Sequence, residues 1–213
     1  LPISLNPKWA GRLPSGFAKE NVLLRDGKLV IQGTKVPASD PLFDKGIRFR
    51  TGTIKSQRPT RYGYFEIKAT IAKSRISSAF WLYDHSDVTW TEIDVFELCG
   101  KPPCSTTFHT NAHVRLGGKQ AGPGADRAFP EKYPAADLVG SGTLVAGLEW
   151  DREWLRWYVN GKLIRQTKND HWHHPLFVVV DSEVFADWFG EPANDETPSE
   201  LVVDYIRVWK RTE

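Results

Sequence analysis

The sequence has no methionine and only two cysteines among its 213 residues. Because even the first position lacks methionine, we expect a chain trimmed after synthesis, and a removed signal peptide would make it secreted, periplasmic or cell-surface. Cys99 and Cys104 do not have the spacing of a four-cysteine zinc site. They leave two alternatives, a pair of free thiols or a disulfide that closes a short loop in an oxidising compartment.

Long apolar runs and blocks of like charge are also missing. No segment approaches the roughly 18–20 apolar residues of a membrane helix, so no membrane partner is expected. The net charge is +2. Without a basic patch this charge argues against nucleic-acid binding, although it suits an anionic substrate. No repeat or linker divides the chain, and we expect residues 1–213 to form one domain that is a monomer.

Aromatic residues and short strands are what the sequence has in abundance. Its nine Trp, eleven Phe and six Tyr suit either a large core or a cleft that stacks sugar rings. Asp26-Gly27 and Asn160-Gly161 lie between apolar segments and predict two hairpins. Alternation predicts further strands at residues 62–71, 79–83, 91–98, 108–114 and 201–209, whereas residues 182–189 predict a short turn or a loop. The pattern favours an all-β fold, a β-sandwich jelly roll with a concave substrate cleft.

The most informative segment is Trp90–Leu98, in which three carboxylates alternate with apolar residues. Strict alternation would put Glu92 and Asp94 on one face and Glu97 in the core, where an unpaired carboxylate is costly. A β-bulge between Asp94 and Glu97 adds one residue and reverses the phase. We therefore expect a bulge that brings all three carboxylates to one face.

Three neighbouring carboxylates fit the chemistry of a retaining glycoside hydrolase, which needs a nucleophile and an acid/base about 5–5.5 Å apart. With one bulge, Glu92 and Glu97 are roughly 13 Å apart along the backbone, so curvature and inward-leaning side chains must close the gap. Asp94 would hold the nucleophile by hydrogen bonding and raise the pKa of its neighbours. The alternatives are an acidic edge strand and a set of calcium ligands.

Together with its surroundings, this strand resembles glycoside hydrolase family 16, whose signature is Glu-x-Asp-x-(x)-Glu on a strand of a β-jelly roll. Residues 92–97 match the longer, bulged form. Matching segments follow in family order at residues 61–66 (RYGYFE), 78–82 (SAFWL), 109–113 (HTNAH), 157–162 (WYVNGK) and 203–209 (VDYIRVW). The resemblance implies a single catalytic domain with Glu92 as nucleophile, Asp94 as supporting carboxylate and Glu97 as acid/base.

Within that family, residues 91–98 and 181–190 most resemble the red-algal galactan group, porphyranases and agarases. The resemblance therefore implies an endo-hydrolase that cleaves β-1,4 linkages in porphyran or agar. κ-Carrageenase or β-1,3-glucanase activity on the same scaffold stays open, as does a carbohydrate-binding module without catalysis. Many members hold a structural calcium partly through an aspartate that Asp204 matches. The N-terminal part of that site is not recognisable, so we expect no cofactor, and a structural calcium is the alternative.

Aromatic and polar residues near the acidic strand are candidates for substrate binding. Trp90 directly precedes it and suits stacking on a sugar, with a core position as the alternative. Alternation puts either Trp81 or Phe80 in the cleft, and Trp188 in the irregular segment 182–189 suits a subsite. The resemblance to the galactan group also includes Glu183.

Polar residues on the next strand and on a preceding loop complete the candidates. His109, Asn111 and His113 share one face and suit hydroxyl or sulfate groups, or are ordinary surface residues. Arg58 and Arg61 suit a sulfate because guanidinium pairs bidentately with oxyanions, although solvated arginines are the default. His171, His173 and His174 have spacing that is poor for a metal, and no metal site is predicted.

Overall fold

The computed structural model describes residues 3–5, 10–85, 89–117, 125–135 and 142–210. These residues form mainly β-strands, with one short helix α1 (Pro41–Asp44) and 3₁₀ turns at Lys19–Asn21, Cys104–Thr106 and Asn194–Glu196. The strands are β1 (Ile3–Leu5), β2 (Ser15–Phe17), β3 (Val22–Arg25), β4 (Lys28–Lys35), β5 (Phe49–Thr51), β6 (Thr53–Ser56), β7 (Gly63–Thr70), β8 (Ser78–His85), β9 (Thr89–Leu98), β10 (Thr107–Leu116), β11 (Asp126–Ala128), β12 (Glu131–Pro134), β13 (Thr143–Trp150), β14 (Trp154–Val159), β15 (Lys162–Lys168), β16 (Phe177–Asp181) and β17 (Ser199–Trp209).

The strands build two sheets that pack face to face. The cleft sheet has the order β1-β6-β16-β8-β9-β10-β11, with β12 also paired to β10, and the outer sheet has the order β15-β14-β13-β7-β17-β4-β5-β2, with β3 paired to β4. Among the described strands, β2 and β5 pair in parallel and the other neighbours are antiparallel. The prediction of an all-β sandwich is confirmed.

The hydrophobic core lies between the two sheets. Phe65 and Ile67 of β7 face inward and are fully buried, as are Phe80 and Leu82 of β8 on the opposite sheet. Ile93 of β9 packs in the same cluster. Each such side chain contributes about 1.5–3 kcal/mol when it leaves water. The alternating positions on β8, β9 and β10 therefore point away from the core, and these carry the polar residues.

Both predicted hairpins are confirmed. Asp26 and Gly27 connect β3 to β4, and Asn160 and Gly161 connect β14 to β15. All four residues have positive φ, at 51°, 73°, 49° and 78°. That geometry matches the right-handed twist of paired strands, and Asn, Asp and Gly adopt it at the lowest cost.

The predicted strands are also confirmed, with shifts of a few residues at their ends. Residues 182–189 form a loop with a turn, in which Phe189 N–H donates to the Phe185 carbonyl. Cys99 and Cys104 form a disulfide with Cα atoms 5.8 Å apart, which decides between the two alternatives for the cysteines. In the described part of the chain, no helix is long and apolar enough to cross a membrane.

Candidate active site

The predicted bulge is present in β9. On the β10 side, His109 pairs with Glu97 and Asn111 pairs with Asp94. An interval of two residues on β10 therefore lies opposite an interval of three residues on β9. The β8 side shows the same extra residue, since Phe80 pairs with Phe96 and Trp81 pairs with Asp94. The inserted residue returns Glu97 to the face that carries Asp94.

Glu92, Asp94 and Glu97 accordingly lie together on the exposed face of the cleft sheet and line one cleft. Asp94 is the most buried of the three, with 3% of its surface exposed, and a hydrogen bond links it to Glu92. His113 Nε2 lies 3.6 Å from Glu92 Oε1 and 3.3 Å from Asp94 Oδ2. His113 therefore lies within reach of both carboxyls.

Burial and the charges of neighbouring carboxyls raise the pKa values of Glu92 and Glu97. Burial raises the pKa of Glu92 well above its ordinary value, and the charges of Asp94 and Glu97 add to the effect. Burial likewise raises the pKa of Glu97 well above its ordinary value, with further contributions from Asp94, Asp181 and Glu183. Since neighbouring carboxyls titrate as a coupled set, Glu92 and Glu97 keep their protons to higher pH than isolated glutamates do.

A second pair of acids lies beside Glu97 in the cleft. Asp181 ends β16, and burial together with the charge of Glu183 raises its pKa well above the ordinary value. Burial raises the pKa of Glu183 to about 7, although Arg12 opposes the shift. Trp81 Nε1 donates to Asp181 Oδ2 at 3.1 Å, so this acid also fixes the orientation of an indole in the cleft wall.

Aromatic side chains form much of the cleft wall, and the cleft has a volume of about 760 Å³. Trp81, not Phe80, faces the cleft, and its ring lies 4.9 Å from that of Tyr83. Trp90 stacks on His113 with ring centroids 6.3 Å apart. Trp188 lines the cleft and is 42% exposed. Exposed indole faces beside carboxylates suit the apolar faces of sugar rings.

Two arginines add positive charge to the cleft wall. Arg12 Nε lies 3.9 Å from Glu183 Oε2, and its guanidinium lies over the Phe185 ring at 4.8 Å. Arg115, at another part of the wall, forms an ion pair with Asp126 at 2.9 Å. These guanidinium groups offer contacts for an anionic substituent on a substrate.

Most of the predicted binding residues meet in the cleft. Those that line it are Trp81, Trp90, Asn111, His113, Glu183 and Trp188. His109 lies on the same face, but Trp188 covers it with ring centroids 4.8 Å apart. Burial lowers the pKa of His109 to about 4, so its ring is neutral at pH 7 and supports Trp188.

The two arginines proposed for sulfate lie away from this cleft. Arg58 is exposed in the loop between β6 and β7. Arg61 lines a separate groove with Tyr62 and Trp154, and its guanidinium lies 5.3 Å from the Tyr62 ring. The β6–β7 loop joins the two sheets, so its side chains are carried away from the face of β9.

Six cleft residues were not among the predicted candidates. They are Arg12, Ala79, Tyr83, Arg115, Asp181 and Phe185. Continuing the alternation from Trp81 and from His113 by two residues would have identified Tyr83 and Arg115. Asp181 precedes Glu183 by two residues, so the same alternation counted back from Glu183 would have identified it. Arg12 carries no local signal, because its position depends on how the N-terminal segment crosses the sheet.

The residues around Asp204 do not fit a calcium ion. Lys28 Nζ lies 2.7 Å from one carboxylate oxygen and Lys68 Nζ lies 2.9 Å from the other. Both pairs lower the pKa of Asp204. Two ammonium groups thus satisfy the oxygens that calcium would need, and a nearby cation would be repelled.

Glu92, Asp94 and His113 also have the composition of a metal site, since one potential ligand atom from each lies within 4.8 Å of the others. Two oxygens and one nitrogen suit several divalent ions. The same three groups already contact one another, since His113 Nε2 lies close to Glu92 Oε1 and Asp94 Oδ2. These contacts also suit a carboxylate that acts as a nucleophile.

Comparison with known proteins agrees with this geometry. Residues 3–211 match the family described as beta-porphyranase A–D, GH16 domain. The chain belongs to this GH16 family. It is therefore a member of a family of endo-acting glycoside hydrolases, and the resemblance in the sequence is confirmed.

Relatives of this GH16 domain differ in the substrate that their names specify. Glucan endo-1,3-beta-glucosidase A1 of Niallia circulans is 26% identical over 90% of the domain and 31% of that protein. Kappa-carrageenase of Pseudoalteromonas carrageenovora is 25% identical over 91% of the domain and 57% of that protein. The domain thus spans about a third of the length of the glucosidase and rather more than half of the length of the carrageenase.

Among solved structures, porphyranase B from Zobellia galactanivorans is similar with a TM-score of 0.83 at 20% identity, over 98% of this domain and 85% of that chain. The likeness confirms the jelly-roll fold.

Proposed function

We propose that this GH16 domain is a retaining endo-hydrolase that cleaves β-1,4 linkages in a red-algal galactan, porphyran or agar. The observation that carries the proposal is the bulge in β9, which gathers Glu92, Asp94 and Glu97 in one aromatic cleft. A retaining glycosidase needs two carboxyls that face one sugar from opposite sides of the scissile bond.

In the first step Glu97 acts as general acid and Glu92 as nucleophile. Glu97 gives its proton to the glycosidic oxygen while Glu92 attacks the anomeric carbon, so the bond to the leaving sugar breaks and a glycosyl-enzyme ester forms. The raised pKa of Glu97 keeps this acid protonated. Asp94 and His113 lie beside Glu92 and hold it in place while it attacks as a carboxylate.

In the second step Glu97, now a carboxylate, acts as general base. It takes a proton from water, the water oxygen attacks the anomeric carbon, and Glu92 leaves as a carboxylate. Two inversions give net retention of the anomeric configuration. Glu97 regains the proton it gave away, so the enzyme returns to its starting state.

The family match and the cleft's charges support the galactan assignment. The matching family is named for β-porphyranases, and Arg12 and Arg115 in the cleft wall offer contacts to a sulfated sugar. The disulfide favours an oxidising compartment, so we propose a secreted protein. We also propose that it is a monomer with a polysaccharide as its partner.

A β-1,3-glucanase is the second candidate, because the Niallia circulans glucanase is as similar in sequence as the carrageenase is. That reading keeps the roles of Glu92 and Glu97 and changes only the polymer. A κ-carrageenase differs in the same way.

The test is product analysis after incubation with porphyran, agarose, κ-carrageenan, laminarin and mixed-linkage glucan. We expect galactan oligosaccharides of even length from porphyran or agarose, with the β-configuration retained at the new reducing end in early ¹H NMR spectra. Products from laminarin alone would keep the mechanism and overturn the galactan assignment. Inversion at the anomeric centre would overturn the mechanism.

Glu92→Gln separates catalysis from binding. The variant should lose turnover and still bind the polymer in affinity electrophoresis, whereas Glu153→Gln, the same change at an exposed position, should keep both. Undiminished turnover in Glu92→Gln would remove Glu92 from the mechanism. Binding without turnover in the wild type would favour a carbohydrate-binding module.

A further inference from the structure

The bulge in β9 leaves part of the strand ladder open. Val95 has no register partner on β8 or β10, and Thr110 of β10 has none on β9. A regular ladder would satisfy this backbone better, but it would turn Glu97 into the core. The active arrangement therefore needs support from outside the ladder.

Trp157 supplies one such contact from the opposite sheet. It lies on β14, is 1% exposed, and its Nε1–H crosses the core to donate to the Asp94 carbonyl at 3.0 Å. Asp94 is the last residue before the register breaks. A buried carbonyl without a partner is costly, so the indole stabilises the bulged backbone.

Arg165 supplies the matching contact on the β10 side. It is directly opposite Trp157 in the β14–β15 register, and its guanidinium lies 4.2 Å from the Trp157 ring centroid. Its Nη1 donates to Thr110 Oγ1 at 3.0 Å and its Nη2 donates to the Phe129 carbonyl at 2.6 Å. The two side chains thus contact both strands where their register breaks.

We propose that Trp157 and Arg165 are positioning residues for the candidate active site, which hold the β9 bulge so that Glu97 stays in phase with Glu92. This inference rests on the proposed function. Neither side chain lines the cleft. Their effect reaches the substrate only through the backbone of Asp94 and through Thr110.

The test is Trp157→Phe, which removes the N–H and keeps an aromatic ring in the core. Trp150→Phe is the matched control. Trp150 is equally buried, and its Nε1–H donates at 2.8 Å to the Trp172 carbonyl, which also accepts from Asn169. Both variants lose one buried indole hydrogen bond. Only Trp157→Phe loses it directly from β9, since Trp150 reaches that strand only through Trp172, whose Nε1–H donates to the Glu92 carbonyl at 2.9 Å.

We expect kcat of Trp157→Phe to fall about 10- to 100-fold with KM nearly unchanged, because a displacement of about 1 Å in a catalytic group costs on that order. Trp150→Phe should keep kcat within about twofold despite similar thermal destabilisation. As Glu97 leaves its buried, acidic surroundings, its pKa should fall, and the alkaline limb of the kcat/KM profile should move to lower pH. Equal kcat and equal pH profiles in the two variants would overturn the proposal.

A titration that needs no substrate keeps this proposal separate from the proposed function. In ¹³C-carboxyl-labelled protein, Trp157→Phe should lower the highest carboxyl pKa values of the cleft, and Trp150→Phe should not. Unchanged titrations would overturn the positioning role even if the enzyme is active. If the wild type hydrolyses no polymer, the proposed function fails while this titration still applies.

Arg165→Lys tests the second contact. Lysine keeps the charge but cannot place two donors on Thr110 and the Phe129 carbonyl as the guanidinium does. We expect kcat and the pH profile to change in the same direction as in Trp157→Phe. A wild-type kcat in Arg165→Lys would overturn the positioning role proposed for Arg165.

Discussion

Glu183 gives the cleft a proton-binding site that links folding to pH. Its side chain is 3% exposed. Among the described ion pairs its partner is Arg12, whose side chain is 57% exposed and whose Nε lies 3.9 Å from Glu183 Oε2. Its Oε1 has no hydrogen-bond partner among the described residues. Burial therefore dominates and raises the pKa of Glu183 to about 7. The folded protein binds this proton more tightly than the unfolded chain does.

The sign of the effect follows from the raised pKa. The stabilisation is fully present below the unfolded pKa and is lost as the pH rises toward the folded value of about 7. From an ordinary value of 4.5, the gap of about 2.5 pH units corresponds to about 3 kcal/mol. Glu183→Gln resembles the protonated acid at every pH. It should match the wild type near pH 4 and exceed it by about 3 kcal/mol at pH 8, or roughly 6–12 °C in Tm.

The assay is thermal unfolding of wild type and Glu183→Gln at intervals from pH 4 to pH 8. Glu20→Gln serves as the control because the same change is made at a side chain that is 68% exposed, and its Tm curve should follow the wild type. The difference between Glu183→Gln and wild type should grow across the window below pH 7. A difference that is constant with pH, or a lower Tm for Glu183→Gln at pH 8, would refute the reasoning.

Three further outcomes follow from other parts of the molecule. Cys104→Ser opens a six-residue loop and should lower the free energy of unfolding by about 2 kcal/mol in urea titrations; equal stability of oxidised wild type and variant would contradict this. Trp90→Ala should raise KM for the polymer roughly 2- to 10-fold with kcat little changed, whereas a fall in kcat alone would assign Trp90 to another role. Because Lys28 and Lys68 neutralise Asp204, EDTA should leave Tm unchanged in calorimetry, and a Tm restored by added calcium would contradict that.

The sequence determined much of the fold and the centre of the candidate site, because strand signals are local. Alternation and turn chemistry predicted the strands and both hairpins. The bulge followed from a single conflict, since regular alternation would have buried Glu97 beside Ile93. The same period of two placed Asn111 and His113 opposite the acidic strand. These predictions depend only on neighbours a few residues apart.

Tertiary structure alone decided which distant residues share the cleft and what supports it. Arg12 meets Glu183 only because separate segments cross the same sheet, and His109 is covered only because the loop carrying Trp188 folds over it. The contact of Trp157 with the Asp94 carbonyl depends on how the two sheets are set against each other. Alternation shows which face a side chain takes, but the packing of sheets and loops determines what it touches there.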